Sequence, residues 1–444
     1  MSLKISSPSL VLSLAASVVA GALMASVPNV CAADRPTETL TAAGTATTPF
    51  TTALMKNFDR WDVNTDGILS ADEIDRAVAD PASRGDDGAA AGTLKLLSRS
   101  SKLADTRLTR AYFADYAERA AKIRPSTRPS AASAEDATTL AGATGTIAAS
   151  SAAVPVNWDV YFSASQRRID RGKGPAWPKE FTLDDMHQGP LGDCFFIATV
   201  GSMVARDPAR LHQMVKPLPN GGYEVTFPNA QPIRLAQLTD AQLAISSTTE
   251  SSGPWLAVVE QAFGRYRSVV KGGSADVEGT DILRKGGDSA PTISHLTGHA
   301  TRRIRFPRTA EERERRANED LPTLRQAILE NLRERRLITA GILPPSSATT
   351  RPSTQPTDGP AASLPQIPPG ILKRHVYAVV GYDAATDVVE IWNPHGQTFT
   401  PKGPPGLQNG YITVDGRFKL PLGEAYRFYT SFTFESAEPA KTMP

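Results

Sequence analysis

Two low-complexity stretches decide how this chain can be laid out. Residues 124–156 are dominated by Ala, Ser, Thr and Pro. They are too poor in large apolar side chains to supply a core, and read as a disordered linker. They separate a small helix-patterned module, residues 52–123 with a break around Asp80–Ala90, from a large domain over residues 157–434 that opens with the apolar anchors Trp158, Phe162 and Trp177. A second Pro/Ser/Thr-rich stretch, residues 344–369, falls inside the large domain. It is long for a structured loop and reads as a flexible surface insertion rather than a boundary.

The first residues read as a targeting segment. Lys4 precedes the apolar run Leu10–Ala25, and small residues around Cys31-Ala32-Ala33 offer a cleavage site, which gives a signal peptide over residues 1–33. The apolar run is short and soon meets Pro28, so no stable membrane insertion is expected. The expected destination is the periplasm, the cell surface or the medium. Of the two cysteines, cleavage after Cys31 leaves Cys194 alone, which rules out an intrachain disulfide in the mature chain. The net charge of +2 comes from nearly balanced signs, so no nucleic-acid partner is expected.

The small module carries a pattern with a specific chemistry. Asp62, Asn64 and Asp66 place oxygens at positions 1, 3 and 5 of a twelve-residue loop, and Gly67 allows the sharp turn at position 6. Ile68 supplies a backbone carbonyl, Ser70 acts through water, and Glu73 can give two oxygens at position 12. This is the pattern of an EF-hand loop, and its hard oxygen ligands point to calcium. Such hands usually come in pairs. Residues 94–120 have helix-like stretches but no second good loop, because Asp105–Asp115 lacks the central glycine.

The large domain reads as a helical half followed by a β-rich half. Helices are expected from Gly192 or Cys194 to Val204, over Trp255–Phe263, and over Leu321–Arg335 with Leu324, Ile328 and Leu332 on one face. Strands are expected over Leu337–Ala340, His375–Tyr382, Val388–Trp392, Tyr411–Val414 and Tyr429–Phe434. Glycines lead into the helix that Cys194 opens, and a helix N-terminus favours a thiolate. The Cys194 backbone N–H and the side-chain amide of Gln188 can both reach a developing oxyanion. His375 opens one predicted strand and Asn393 ends the next. Adjacent antiparallel strands would set them side by side, with Asn393 orienting the imidazole and His375 forming an ion pair with the Cys194 thiolate. Spacing alone leaves another reading open, in which His375 is a satisfied strand-edge residue and Asn393 a turn former before Pro394.

The segment Gln188-Gly189-Pro190-Leu191-Gly192-Asp193-Cys194-Phe195-Phe196-Ile197-Ala198 resembles the nucleophile motif of the calpain family of cysteine peptidases. His375–Tyr382 resembles its histidine strand, and Asn393-Pro394-His395-Gly396 its asparagine motif, in the same order. Trp255–Phe263, Gly286-Gly287, Leu332–Ala340 and Asp415–Phe418 resemble further family segments, so the likeness spans residues 157–434. The resemblance implies an α+β, papain-like core of two subdomains beside a small α-helical EF-hand module. It implies a calcium-associated cysteine endopeptidase acting on protein or peptide substrates, with Cys194 as nucleophile, His375 as base and acid, Asn393 as orienter and Gln188 as oxyanion donor. Residues 124–156 are a candidate site of autoprocessing. Two positions depart from the family pattern: Phe195 stands where Trp is usual, and His395 stands where a Trp usually shields the His–Asn bond. The competing function is a non-catalytic, calcium-dependent protein-binding module on the same fold. A thioester route could also serve transpeptidation or deamidation.

Overall fold

The computed structural model describes residues 46–100, 103, 106–122, 156–342 and 366–440. The signal segment, nearly all of the linker and most of the 344–369 insertion lie outside the described residues. No described helix is long and apolar enough to cross a membrane.

The N-terminal helices are α1 (Pro49–Trp61), α2 (Ala71–Ala79), α3 (Asp86–Ser98) and α4 (Arg110–Lys122). Thr48 and Ser70 begin α1 and α2 with reciprocal capping boxes, which satisfy amides that a helix start leaves bare. The loop between α1 and α2 pairs with the segment before α4: Ile68 bridges Thr109, and the Leu69 amide donates to the Leu108 carbonyl at 3.0 Å. The four helices thus form two helix–loop–helix units joined at their loops.

These helices share one apolar core with the large domain. Phe50, Phe58, Trp61 and Leu94 pack with Trp158, Phe162 and Ile169 of α5 (Trp158–Arg171). The rings of Phe50 and Trp158 stack at 5.0 Å. A short helix, α8 (Asp240–Ile245), completes that core, with Ala241, Ala244 and Ile245 buried in it. Thr239 Oγ1 donates to the Val78 carbonyl at the end of α2 (2.6 Å), and Asp240 accepts the Gly85 amide (2.7 Å).

The large domain combines two buried helices with an antiparallel sheet. Helix α6 (Cys194–Arg206) is apolar on every side over Phe195–Val204 and buried throughout that stretch. Helix α9 (Trp255–Val270) lies in the same core. The seven-stranded sheet runs β10 (Thr413–Val414), β11 (Arg417–Pro421), β9 (Val388–Trp392), β8 (His375–Asp383), β7 (Ile338–Ile342), β12 (Ser431–Pro439), β6 (His299–Arg305). Every pairing in it is antiparallel. Helix α6 packs on β8, and Gly201 lets it come close: a Cβ there would collide with the Trp392 ring of β9. The opposite side of the sheet carries α12 (Ala310–Arg333), whose Leu324, Ala327 and Ile328 are buried with Tyr377 and Val379 of β8.

The predicted helix at Leu321 begins instead at Ala310. Thr309 caps it by accepting the Glu312 amide (3.2 Å), and Pro322 lies inside it. The first turns carry mostly charged side chains, so no apolar period marks them.

Candidate active site

Cys194 is the first residue of α6 and half-buried at its N-terminus. Backbone amides of Cys194, Phe195 and Val376 are directed at its sulfur. Val376 follows His375 in β8, so the nucleophile candidate meets the histidine strand directly. Burial pushes the Cys194 thiol up to about 12, opposed by those three amides.

His375 is 4 % exposed, and its Nε2 lies 2.8 Å from Asn393 Oδ1. Asn393 is buried at the end of β9, where its amide donates to the Gly416 carbonyl (2.8 Å) and its carbonyl accepts from Gly396 (3.0 Å). Because Asn Oδ1 can only accept, this bond places the His375 hydrogen on Nε2 and leaves Nδ1 with its lone pair. Tyr377 meets the imidazole edge-on (4.8 Å between centroids). His395 lies over it nearly parallel, at 5.0 Å and 13°, and its backbone amide donates to Asn393 Oδ1 (3.2 Å). Burial first, and then His395, push His375 down to about 3 against the Asn393 bond. Desolvation opposes the charge on each group taken singly, favouring the neutral thiol and the neutral imidazole.

Gln188 follows the short strand β1 (Met186–His187), and its amide donates to the Pro394 carbonyl at 2.8 Å. That bond ties the glutamine segment to the asparagine turn. The side-chain Nε2 donates to the Leu191 carbonyl (2.7 Å) and to Asp193 Oδ1 (3.1 Å). The structure thus gathers Cys194, His375, Asn393 and Gln188 around the start of α6.

Two buried carboxyl groups that no motif marks lie behind that start, those of Asp193 and Glu260. A signal was available. Glu260 interrupts Trp255–Phe263, a run so apolar on all sides that any charge in it must be buried.

The Asp62–Glu73 loop forms a second candidate site. Asp62 accepts the Asp66 and Gly67 amides (3.2 and 2.9 Å), Asn64 the Asp66 amide (3.0 Å) and Asp66 the Ile68 amide (2.8 Å). Gly67 sits at φ 76°, which a side chain would strain. Glu73 is 1 % exposed and reaches back across the loop, with Oε1 on the Asn64 amide (3.2 Å) and Oε2 on the Ser70 amide (2.9 Å) and hydroxyl (2.7 Å). Burial raises the Glu73 carboxyl, but those donors outweigh it and hold it below the usual range. Among the described residues no three His, Cys, Asp or Glu side chains are grouped to hold a metal on their own. The candidate ligands comprise three acids, Asp62, Asp66 and Glu73, with Asn64, Ser70 and the Ile68 carbonyl as neutral members. This all-oxygen set fits a hard cation.

No curated protein matches the chain. The profile of the calpain family cysteine proteases matches residues 170–404, more than half of the chain. That span contains Gln188, Cys194, His375 and Asn393. The chain belongs to the calpain family of cysteine proteases, and its substrates are accordingly proteins or peptides.

Proposed function

We propose that this chain is a cysteine endopeptidase in which Cys194, His375 and Asn393 carry the reaction and Gln188 serves the oxyanion. The observation that carries this reading is the His375–Asn393 hydrogen bond of 2.8 Å beside the N-terminus of the Cys194 helix. Asn393 holds Nε2–H, so Nδ1 accepts the thiol proton as the sulfur attacks the peptide carbonyl. The carbonyl oxygen becomes an oxyanion within reach of the Cys194 amide and Gln188. Nδ1–H then protonates the leaving amine, the C–N bond breaks, and a thioester remains. Water attacks that thioester with Nδ1 again as base, the C–S bond breaks, and Nδ1–H returns its proton to the Cys194 sulfur as the acid product leaves. Gln188 has both Nε2 hydrogens engaged, so serving the oxyanion means exchanging the Leu191 carbonyl for it.

Calcium is the proposed ligand of the Asp62–Glu73 loop, held by Asp62, Asn64, Asp66, the Ile68 carbonyl, Ser70 and Glu73. Bound there, it supplies charge neutralisation for the three carboxylates and cross-links the loop. Export follows from the apolar Leu10–Ala25 run, and autoprocessing within residues 124–156 is proposed with it. The test is the Cys194→Ala variant: hydrolysis of peptide bonds and covalent capture of a peptidyl acylating probe both vanish while the fold persists. A variant that still hydrolyses sinks the reading. Calcium-dependent binding that survives in an inactive wild type supports the binding-module alternative.

A further inference from the structure

The Cys194 helix begins unusually. An Asp at the N-cap ordinarily turns its carboxylate onto the first helical amides, yet Asp193 makes no such bond. Its side chain is fully buried and turns inward. Oδ1 accepts Gln188 Nε2 at 3.1 Å, while the carboxyl also meets that of Glu260. Among the described residues no N–H or hydroxyl serves Asp193 Oδ2. Glu260 is fully buried in α9 and accepts the Ser247 amide and hydroxyl, both at 2.9 Å. Ser247 Oγ in turn receives the Gly189 amide at 3.0 Å. The side chain of Gln188 and the backbone of Gly189 therefore hang on two adjoining carboxyl groups.

Two carboxylates in contact and out of water do not both ionise. Burial first, and then the Glu260 charge, hold Asp193 far above the usual range. Burial also raises Glu260, against the bonds it receives from Asp193 and Ser247. No cation is among the strongest influences on either group; the titratable neighbour along the chain is Cys194 itself.

We propose that Asp193 and Glu260 share one proton, with Asp193 donating to Glu260, and that this pair positions the oxyanion side of the Cys194 site. The inference rests on the peptidase reading above. During attack the oxyanion takes the Gln188 hydrogen that Leu191 holds at rest, while the other hydrogen stays on Asp193 Oδ1 and keeps the carboxamide oriented. Loss of the shared proton at high pH leaves two repelling carboxylates and a loosened Gln188.

The test uses the mature chain with Asp193→Ala, Glu260→Ala and Asp193→Asn. The asparagine keeps an oxygen for Gln188 and carries a permanent N–H toward Glu260. Each alanine variant is expected to lose about 10- to 100-fold in kcat with KM within about twofold, in line with disturbed oxyanion stabilisation. Alkylation of Cys194 by iodoacetamide, which builds no oxyanion, persists and reports an intact nucleophile. Asp193→Asn recovers most of kcat and moves the alkaline limb of the rate profile to higher pH. Infrared spectra of the wild type at neutral pH show a protonated-carboxyl stretch that Asp193→Asn removes. An asparagine variant as slow as the alanine one, an unmoved alkaline limb, or a missing stretch overturns the inference. A wild type without Cys194-dependent hydrolysis refutes the peptidase reading and the positioning role together, and the infrared band then decides the shared proton separately.

Discussion

His395 sets the electrostatics of its neighbour. It lies parallel to the His375 ring and is second only to burial in pushing that imidazole down to about 3. His395→Phe keeps a flat ring over His375 but removes the imidazole, so the His375 pKa rises. In the proposed mechanism the reacting form has neutral His375, and the acid limb of kcat/KM reports its protonation. That limb is therefore expected to move to higher pH in the variant, as a pH–rate profile on a peptide substrate will show; an unmoved limb contradicts this account of His395. The same depression bears on stability. His375 contributes above its unfolded value of about 6.5, and the contribution is lost as pH falls toward about 3, because the unfolded chain binds the proton that the folded one refuses. At this scale the sequence was legible where a residue's neighbours along the chain announce its chemistry. Cys194 behind its glycines, and His375 and Asn393 at the ends of successive strands, could be found that way. Asp193 and Glu260 could not be paired, because their contact joins α6 to α9 across many intervening residues.

Gly201 shows how an element fixes the site. The residue lets α6 lie against the Trp392 ring, one residue before Asn393. Gly201→Ala forces the helix off β9, and is expected to destabilise the fold by about 1–3 kcal/mol. It should also lower kcat as Cys194 and Asn393 separate; denaturant unfolding and steady-state kinetics measure the two effects. The β8–β9 pair and the starts of α6 and α9 were readable because apolar periodicity and β-branched runs are strong there. The early turns of α12 were not, since their exposed charged faces carry no period. Strand β6 was missed for a similar reason: His299–Arg305 carries three arginines and is only half-buried, so alternation fails to mark it.

The molecule as a whole joins the N-terminal helices to the protease core by a partly exposed charge network around the buried Lys95 as well as by packing. Lys95 of α3 is nearly buried and meets Asp75 of α2 (3.2 Å) and Asp281 of the short helix α10 (Gly279–Leu283, 3.0 Å). Arg99 bonds the same two carboxylates. Asp281→Ala leaves Lys95 and Arg99 with one acid between them, and is expected to cost about 3 kcal/mol in denaturant unfolding. A physical route also runs from the helix that follows the Asp62–Glu73 loop to the nucleophile. It passes from the Val78 carbonyl to Thr239, along α8 to Ser247, and on to Glu260 and Asp193. Calcium is expected to raise the melting temperature of the wild type and to leave Glu73→Gln unchanged, as thermal unfolding with and without chelator will record. An equal rise in both would remove calcium from the Asp62–Glu73 loop. The direct packing of α3 on α8 was not legible, because the composition of residues 124–156 carries no information on what their flanks touch.

Cleavage of peptide bonds by Cys194 beside the His375–Asn393 pair is the proposed activity. It is tested most directly by casein hydrolysis with the mature protein and with Cys194→Ala, followed across a calcium titration. Hydrolysis by the wild type and none by the variant at any calcium concentration is the expected result. Equal hydrolysis by both proteins, or none by a folded and calcium-loaded wild type, would contradict it.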